Sequence, residues 1–180
     1  MFTLAFFAGL RGSEYTGFYI NSTFKHVQIG QVKFSNTEQG LIMYYTVCRS
    51  KTQAHGTTIP LGCTGKYICP VCMMSEYLKL RLVGDWLETD PLFLLPQSGV
   101  VTKKTVDSKI KQVVGVLGFD PTQFSTHSIR SGAASTAASL CFSDWEIKRN
   151  GGRKSGCYRK YIRNMDKYVV GFSARLMQKN

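Results

Sequence analysis

At 180 residues the chain is long enough for one substantial core, and its formal charge of +12 is unevenly spread. Residues 1–90 hold eight Lys/Arg against six Asp/Glu, whereas residues 91–180 hold fifteen against five. Such a one-sided field suits a polyanionic partner, nucleic acid before an anionic membrane, because no long basic amphipathic helix stands apart from the core.

The apolar opening, residues 1–10, is too short to span a bilayer and lacks the charged flank and cleavage site of a secretory leader. It reads as a core helix over about Phe2–Gly9, with its upstream part outside the chain. The six cysteines (48, 63, 69, 72, 141, 157) form no disulfide framework, which places the protein in a reducing, intracellular compartment. After the first helix, Arg11 and Glu14 interrupt buried material. Gly12 and Ser13 permit a sharp turn there, and Ser13 is a candidate cap for a short helix beginning near Glu14.

Alternating apolar residues predict strands over His26–Phe34, Leu41–Arg49 and Thr57–Leu61, with a turn at residues 35–40. Lys51 then sits at a strand end beside a tight connection. His55, Cys63, Cys69 and Cys72 invite a zinc reading, since Cys69-Pro70-Val71-Cys72 has the two-residue gap of a metal knuckle. A second knuckle is missing from the sequence, so no metal and no cofactor are expected. Pro70 opens a helix reaching about Trp86, with Met73, Tyr77, Leu80 and Gly84 as its stripe. Residues 91–96 form a short buried connector. Thr102 caps a helix reaching about Leu117, whose polar side carries Lys103, Lys104, Lys109 and Lys111, and Gly118-Phe119-Asp120-Pro121 stops it.

A helix then begins at Ser125 or Thr126 and places His127 and Arg130 one turn apart. An imidazole beside a guanidinium makes a clamp for an oxyanion such as phosphate; the plainer alternative is two exposed polar side chains behind a helix cap. A short helix over Ser143–Asn150, a Gly151-Gly152 break and a helix over about Lys154–Tyr168 complete the chain, with residues 169–180 as a tail. Between Lys148 and Lys167 stand eight basic residues and one acid, Asp166.

The segments HSIRSGAASTAA and SDWEIKRNGGRKSGCYRKYIR, in that order, resemble the C-terminal half of the tyrosine-recombinase (phage-integrase type) catalytic domain, and most of all the versions found in eukaryotic mobile elements. The resemblance implies an α+β, mainly α-helical fold with helices packed around a small three-stranded antiparallel sheet, the fold of DNA breaking-rejoining enzymes. Residues 1–168 would be one catalytic domain, without the N-terminal DNA-clasping domain such enzymes usually carry.

The resemblance also implies the chemistry. Arg11 and Arg130 would hold the scissile phosphate, His127 would handle protons, and Lys51 would protonate the leaving oxygen. Tyr161 would form a transient 3′-phosphotyrosine, with Glu14 as a buttress. Lys103, Lys104, Lys148, Arg149, Lys154, Arg159, Lys160 and Arg163 would follow the DNA backbone. Tyr158, one helical turn earlier, is the rival nucleophile. Arg153 stands where relatives carry a tryptophan or histidine that touches the phosphate. That departure keeps open a DNA-binding or assembly module without catalysis, and DNA relaxation of the type IB topoisomerase kind is a further alternative. The implied partners are double-stranded DNA and other copies of the chain on it, with no membrane. The implied location is the nucleus in a eukaryote, otherwise the cytoplasm.

Overall fold

The computed structural model describes residues 1–20, 22–48, 56–96 and 99–150. The expectations that fall on Lys51, His55, Arg153, Lys154, Tyr158, Arg159, Lys160, Tyr161, Arg163, the last helix and the tail lie outside those residues.

Helix α1 (Phe2–Phe7) ends in a Schellman arrangement: Leu10 N–H donates to Ala5 O (2.9 Å) and Gly9 N–H to Phe6 O (3.0 Å). Gly9 takes φ +56°, which a glycine adopts without the Cβ penalty of other residues. The reversal buries Leu10 and delivers Arg11 to a short 3-10 turn over Gly12–Glu14. Ser13 is therefore inside the turn rather than its cap. A hairpin of β1 (Phe18–Ile20) and β2 (Thr23–Lys25) follows, which the sequence reading missed because each strand has only three residues.

The main sheet has the order β3 (Val32–Thr37), β4 (Gly40–Val47), β5 (Thr57–Gly62), all antiparallel. Strict alternation points Met43, Tyr45 and Val47 of β4 and Ile59 and Leu61 of β5 into the core, with Tyr45 opposite Ile59 and Met43 opposite Leu61. Pro60 is tolerated because β5 is an edge strand. The strand predicted from His26 begins at Val32 instead, as β3. Residues 27–30 bond instead to the connector, through Leu92 N–H to Val27 O (2.7 Å) and Ile29 N–H to Asp90 O (3.0 Å). A 3-10 turn over Ile29–Gln31 then swings the chain into the sheet. There the Gln31 amide donates to Thr46 O (2.5 Å) and accepts from Gln28 N–H (2.6 Å).

Helix α2 (Pro70–Arg81) is shorter than the periodicity predicts and rotated by one position. It buries Val71, Met74 and Leu78, while Met73 and Leu80 are exposed. The chain leaves the helix at Leu82 and runs into Gly84, at φ +85°. Leu92 and Phe93 of the connector are buried as expected. Helix α3 (Lys103–Val116) starts at the Thr102 cap, whose hydroxyl accepts from Thr105 N–H (3.2 Å), and keeps its four lysines exposed. Helix α4 (Thr126–Ser139) packs across α1, and α5 (Asp144–Asn150) rests on it through Ile147, Ala134 and Ala138. No described helix is long and apolar enough to cross a membrane.

Candidate phosphate-binding site

Two short segments build the site, residues 9–14 after α1 and residues 125–130 at the start of α4. Ser125 is the α4 cap, its hydroxyl accepting from His127 N–H (3.2 Å). This sets His127 on the exposed first turn and Arg130 one turn later in the interior, 5% exposed. Arg130 is thus no surface residue behind a helix cap, as the plainer sequence reading had it.

A buried guanidinium needs partners. Arg130 Nη1 donates to the carbonyl oxygen of Gly9 and stands 3.8 Å from Glu14 Oε2. Glu14, itself 7% exposed, takes Arg11 Nη1 on its other oxygen (2.8 Å) and Arg11 N–H on Oε2 (2.7 Å). One carboxylate therefore brackets two arginines, Arg130 buried and Arg11 with 40% of its side chain exposed. The Glu14 carbonyl is fixed from the sheet by Tyr45 Oη–H (2.5 Å), and burial pushes that phenol well above its ordinary pKa, so it remains a donor. The result is a rigid, positively charged corner beside a helix N-terminus, the arrangement that holds anions.

A second seam ties the corner together. Asp107 Oδ1 accepts Thr126 N–H (2.6 Å) while Oδ2 takes Lys103 Nζ (2.6 Å). Burial works against the Asp107 charge, yet the lysine and the amide hold its carboxyl below the ordinary range. Gly12 lies against this seam, where an added Cβ would meet Thr126 Oγ1 at 2.9 Å and Thr126 Cβ at 3.2 Å. Gly12→Ala should therefore wedge the two segments apart at a cost of about 1–3 kcal/mol. The measurement is urea unfolding of the variant beside the parent, and equal midpoints would show that the seam yields freely.

Glu14 brings Arg11 and Arg130 together, Lys103 joins through the Asp107 and Gly12 seam, and His127 stands on the exposed first turn of α4. Lys104 is exposed on the same helix as Lys103. On α5, Lys148 pairs with Asp144, and the Arg149 guanidinium sits 4.9 Å from the Trp145 ring centroid. Gly9, Tyr45, Asp107 and Thr126 escaped sequence reasoning. Gly9 carried a signal, a glycine directly after a short apolar helix. Asp107 carried a weaker one, as the single acid of a lysine-rich helix.

Helices packed around a three-stranded antiparallel sheet in this order give the fold of the tyrosine-recombinase catalytic domain. None of the protein-family models compared matches the chain. A curated relative, an integrase/recombinase xerD homolog from Selenomonas ruminantium, is 26% identical over 152 residues, covering 78% of this chain and 42% of its own length. XerH recombinase, in a pre-cleavage complex with its difH substrate, superposes with a TM-score of 0.62 at 13% identity, over 93% of this chain and 43% of that one. XerA recombinase gives a TM-score of 0.62 at 17% identity, over 96% and 54%. The Tn1549 transposon integrase bound to transposon right-end DNA gives 0.59 at 16% identity, over 98% and 57%. The chain thus spans about half or less of the length of XerH, XerA and the xerD homolog.

Proposed function

We propose that the chain is a tyrosine recombinase catalytic domain that cleaves and rejoins double-stranded DNA through a 3′-phosphotyrosine intermediate. The observation carrying this reading is the Glu14 bracket, which holds Arg11 and Arg130 as a fixed cationic pair beside the α4 N-terminus and His127. Phosphoryl transfer spreads negative charge over the non-bridging oxygens, and two arginines can stabilise it without changing protonation.

In this reading Tyr161, its proton taken by His127, attacks phosphorus, the phosphorus–5′-oxygen bond breaks, and Lys51 protonates the departing 5′-oxygen to a hydroxyl. His127 contacts the phosphate and handles protons. A phenol has an ordinary pKa near 10, so basic neighbours such as Arg159, Lys160 and Arg163 favour the reactive phenolate. The covalent link retains the phosphodiester energy, and a 5′-hydroxyl from another strand reverses the step. The eukaryotic mobile-element affinity, and a nuclear location with it, rest on the sequence motifs alone. Self-association on DNA belongs to the same proposal, as does the extent of the domain, residues 1–168 followed by a tail.

A nicked suicide duplex should trap a detergent-resistant protein–DNA adduct, and Tyr161→Phe should remove it while leaving binding intact. An adduct that survives Tyr161→Phe but disappears in Tyr158→Phe moves the nucleophile by one turn. Arg153, at the position of the expected aromatic donor, favours a second reading as a DNA-binding module. Firm binding with no adduct from the parent chain would decide for that reading.

A further inference from the structure

The sequence leaves Cys63 alone, but the fold does not. Cys63 follows β5 directly, and its N–H donates to Leu41 O of β4 (2.9 Å), which pins it at the sheet's end. Cys69 caps α2, and Pro70-Val71 carries the chain on to Cys72 in the first turn. Three sulfurs from two elements meet there. Cys63 Sγ is 3.4 Å from Cys72 Sγ and 3.6 Å from Cys69 Sγ, and all three lie within 4.8 Å of one another.

From this geometry we propose a thiolate metal site, Cys63–Cys69–Cys72, that binds Zn²⁺ and locks α2 to the end of the sheet. Tetrahedral zinc with Zn–S bonds near 2.3 Å sets its sulfurs roughly 3.8 Å apart, close to the separations found here. Two amides aim at Cys69 Sγ, Thr64 N–H at 3.3 Å and Cys72 N–H at 3.5 Å. Amides pointing at a sulfur favour its thiolate and orient it, as the outer shell of a metal site does. Packing does not explain the cluster, because Cys63 and Cys72 are exposed and bury little apolar surface. That exposure also leaves the fourth corner on the solvent side, open to a further ligand. A soft all-sulfur donor set selects zinc over magnesium or calcium.

The site reverses the expectation of no metal drawn from the spacing, and it is separate from the proposed cleavage chemistry. Its role is mechanical. In sequence Lys51 falls between β4 and β5, and α2 anchored on β5 stiffens the two strands that flank that stretch.

The test is zinc content after purification from zinc-supplemented growth, under a phosphine reductant and without chelator. About one zinc per chain is expected. Cobalt substitution should give tetrahedral d–d bands with thiolate-to-cobalt charge transfer. Losing an outer-shell partner costs roughly 10–100-fold in metal affinity, so losing a ligand in Cys72→Ser should cost more than roughly 100-fold. Cys141→Ser should bind as the parent does. Zinc far below one per chain in the parent, an octahedral cobalt spectrum without charge transfer, or a Cys63–Cys72 disulfide in freshly reduced, folded protein would each overturn the proposal. The cobalt spectrum is read on the parent, so the test stands even if Cys72→Ser does not fold.

Discussion

Glu14→Ala is expected to lower stability by about 3–5 kcal/mol and single-turnover DNA cleavage by about 10²-fold or more. Glu14 is almost fully buried and answers to Arg11 on one oxygen and Arg130 on the other. Removing it leaves Arg130, 5% exposed, inside the protein without its carboxylate neighbour, which is the costly way to break a buried ion pair. Arg11 loses the acceptor of both its amide and its guanidinium, and its extended conformation, φ −77° and ψ 154°, is no longer held.

Cleavage should suffer beyond stability. An oxyanion donor contributes only when fixed where the charge develops, and one lost donor typically costs about 10²–10³ in rate. Glu14→Gln separates the two effects. It keeps the shape and an acceptor for Arg11, loses the charge, and should fall between the parent and Glu14→Ala on both measures. The measurements are denaturant unfolding and adduct formation at a temperature where every variant is folded. A Glu14→Ala protein that unfolds earlier but cleaves at the parental rate would show that the arginine pair needs no bracket, and the site argument would fail. As a contrast, Lys103→Ala removes an exposed lysine while Asp107 keeps the Thr126 amide, and should cost about 1 kcal/mol or less.

What the sequence disclosed and withheld follows from the range of the forces involved. The α4 cap, the Thr102 cap and the edges of β4 and β5 are local matters of hydrogen bonding and alternation, and they were legible. The Arg11–Glu14 pairing is equally local, three residues apart, although the sequence reading set out only the two residues and not the bond between them. The phase of α2 was not legible, because Met73, Tyr77 and Leu80 make one stripe and Val71, Met74 and Leu78 another, and only packing against α1 and the sheet decides between them. The contacts that make the corner a site are long-range: Arg130 with Gly9, Thr126 with Asp107, Tyr45 with Glu14. Their separations of 121, 19 and 31 residues leave no mark on periodicity. Cys63 was named with Cys69 and Cys72 in the zinc reading, but the spacing alone did not show that its sulfur meets theirs, because that depends on how the chain turns between β5 and α2.

The charge distribution bears on binding rather than chemistry. We expect duplex affinity to fall by about 10³-fold or more between 50 and 200 mM salt, with little preference among sequences. The excess of basic residues lies in residues 91–180, where Lys104, Lys109 and Lys111 stand exposed along α3. Lysine and arginine contacts to phosphates release condensed counterions, so log affinity declines linearly with log salt. The slope is about −0.9 for each phosphate neutralised, and six or more contacts produce the stated loss. Such contacts carry no base information, which leaves the dissociation constant near micromolar or weaker at physiological salt.

Individual lysines should differ in a way the structure orders. Lys104→Gln should reduce the slope by about one unit, the value of one phosphate contact. Lys103→Gln should change it less, because Lys103 Nζ already holds Asp107 at 2.6 Å and must exchange a carboxylate for a phosphate. The measurement is fluorescence anisotropy on a specific and a scrambled duplex across a salt series. Tight, sequence-selective binding that ignores salt would mean that base contacts outside this basic surface dominate recognition. Equal slopes for the two lysine variants would mean that the Asp107 pair dissolves freely on DNA, and that the seam beside the arginine corner is not maintained once duplex is bound.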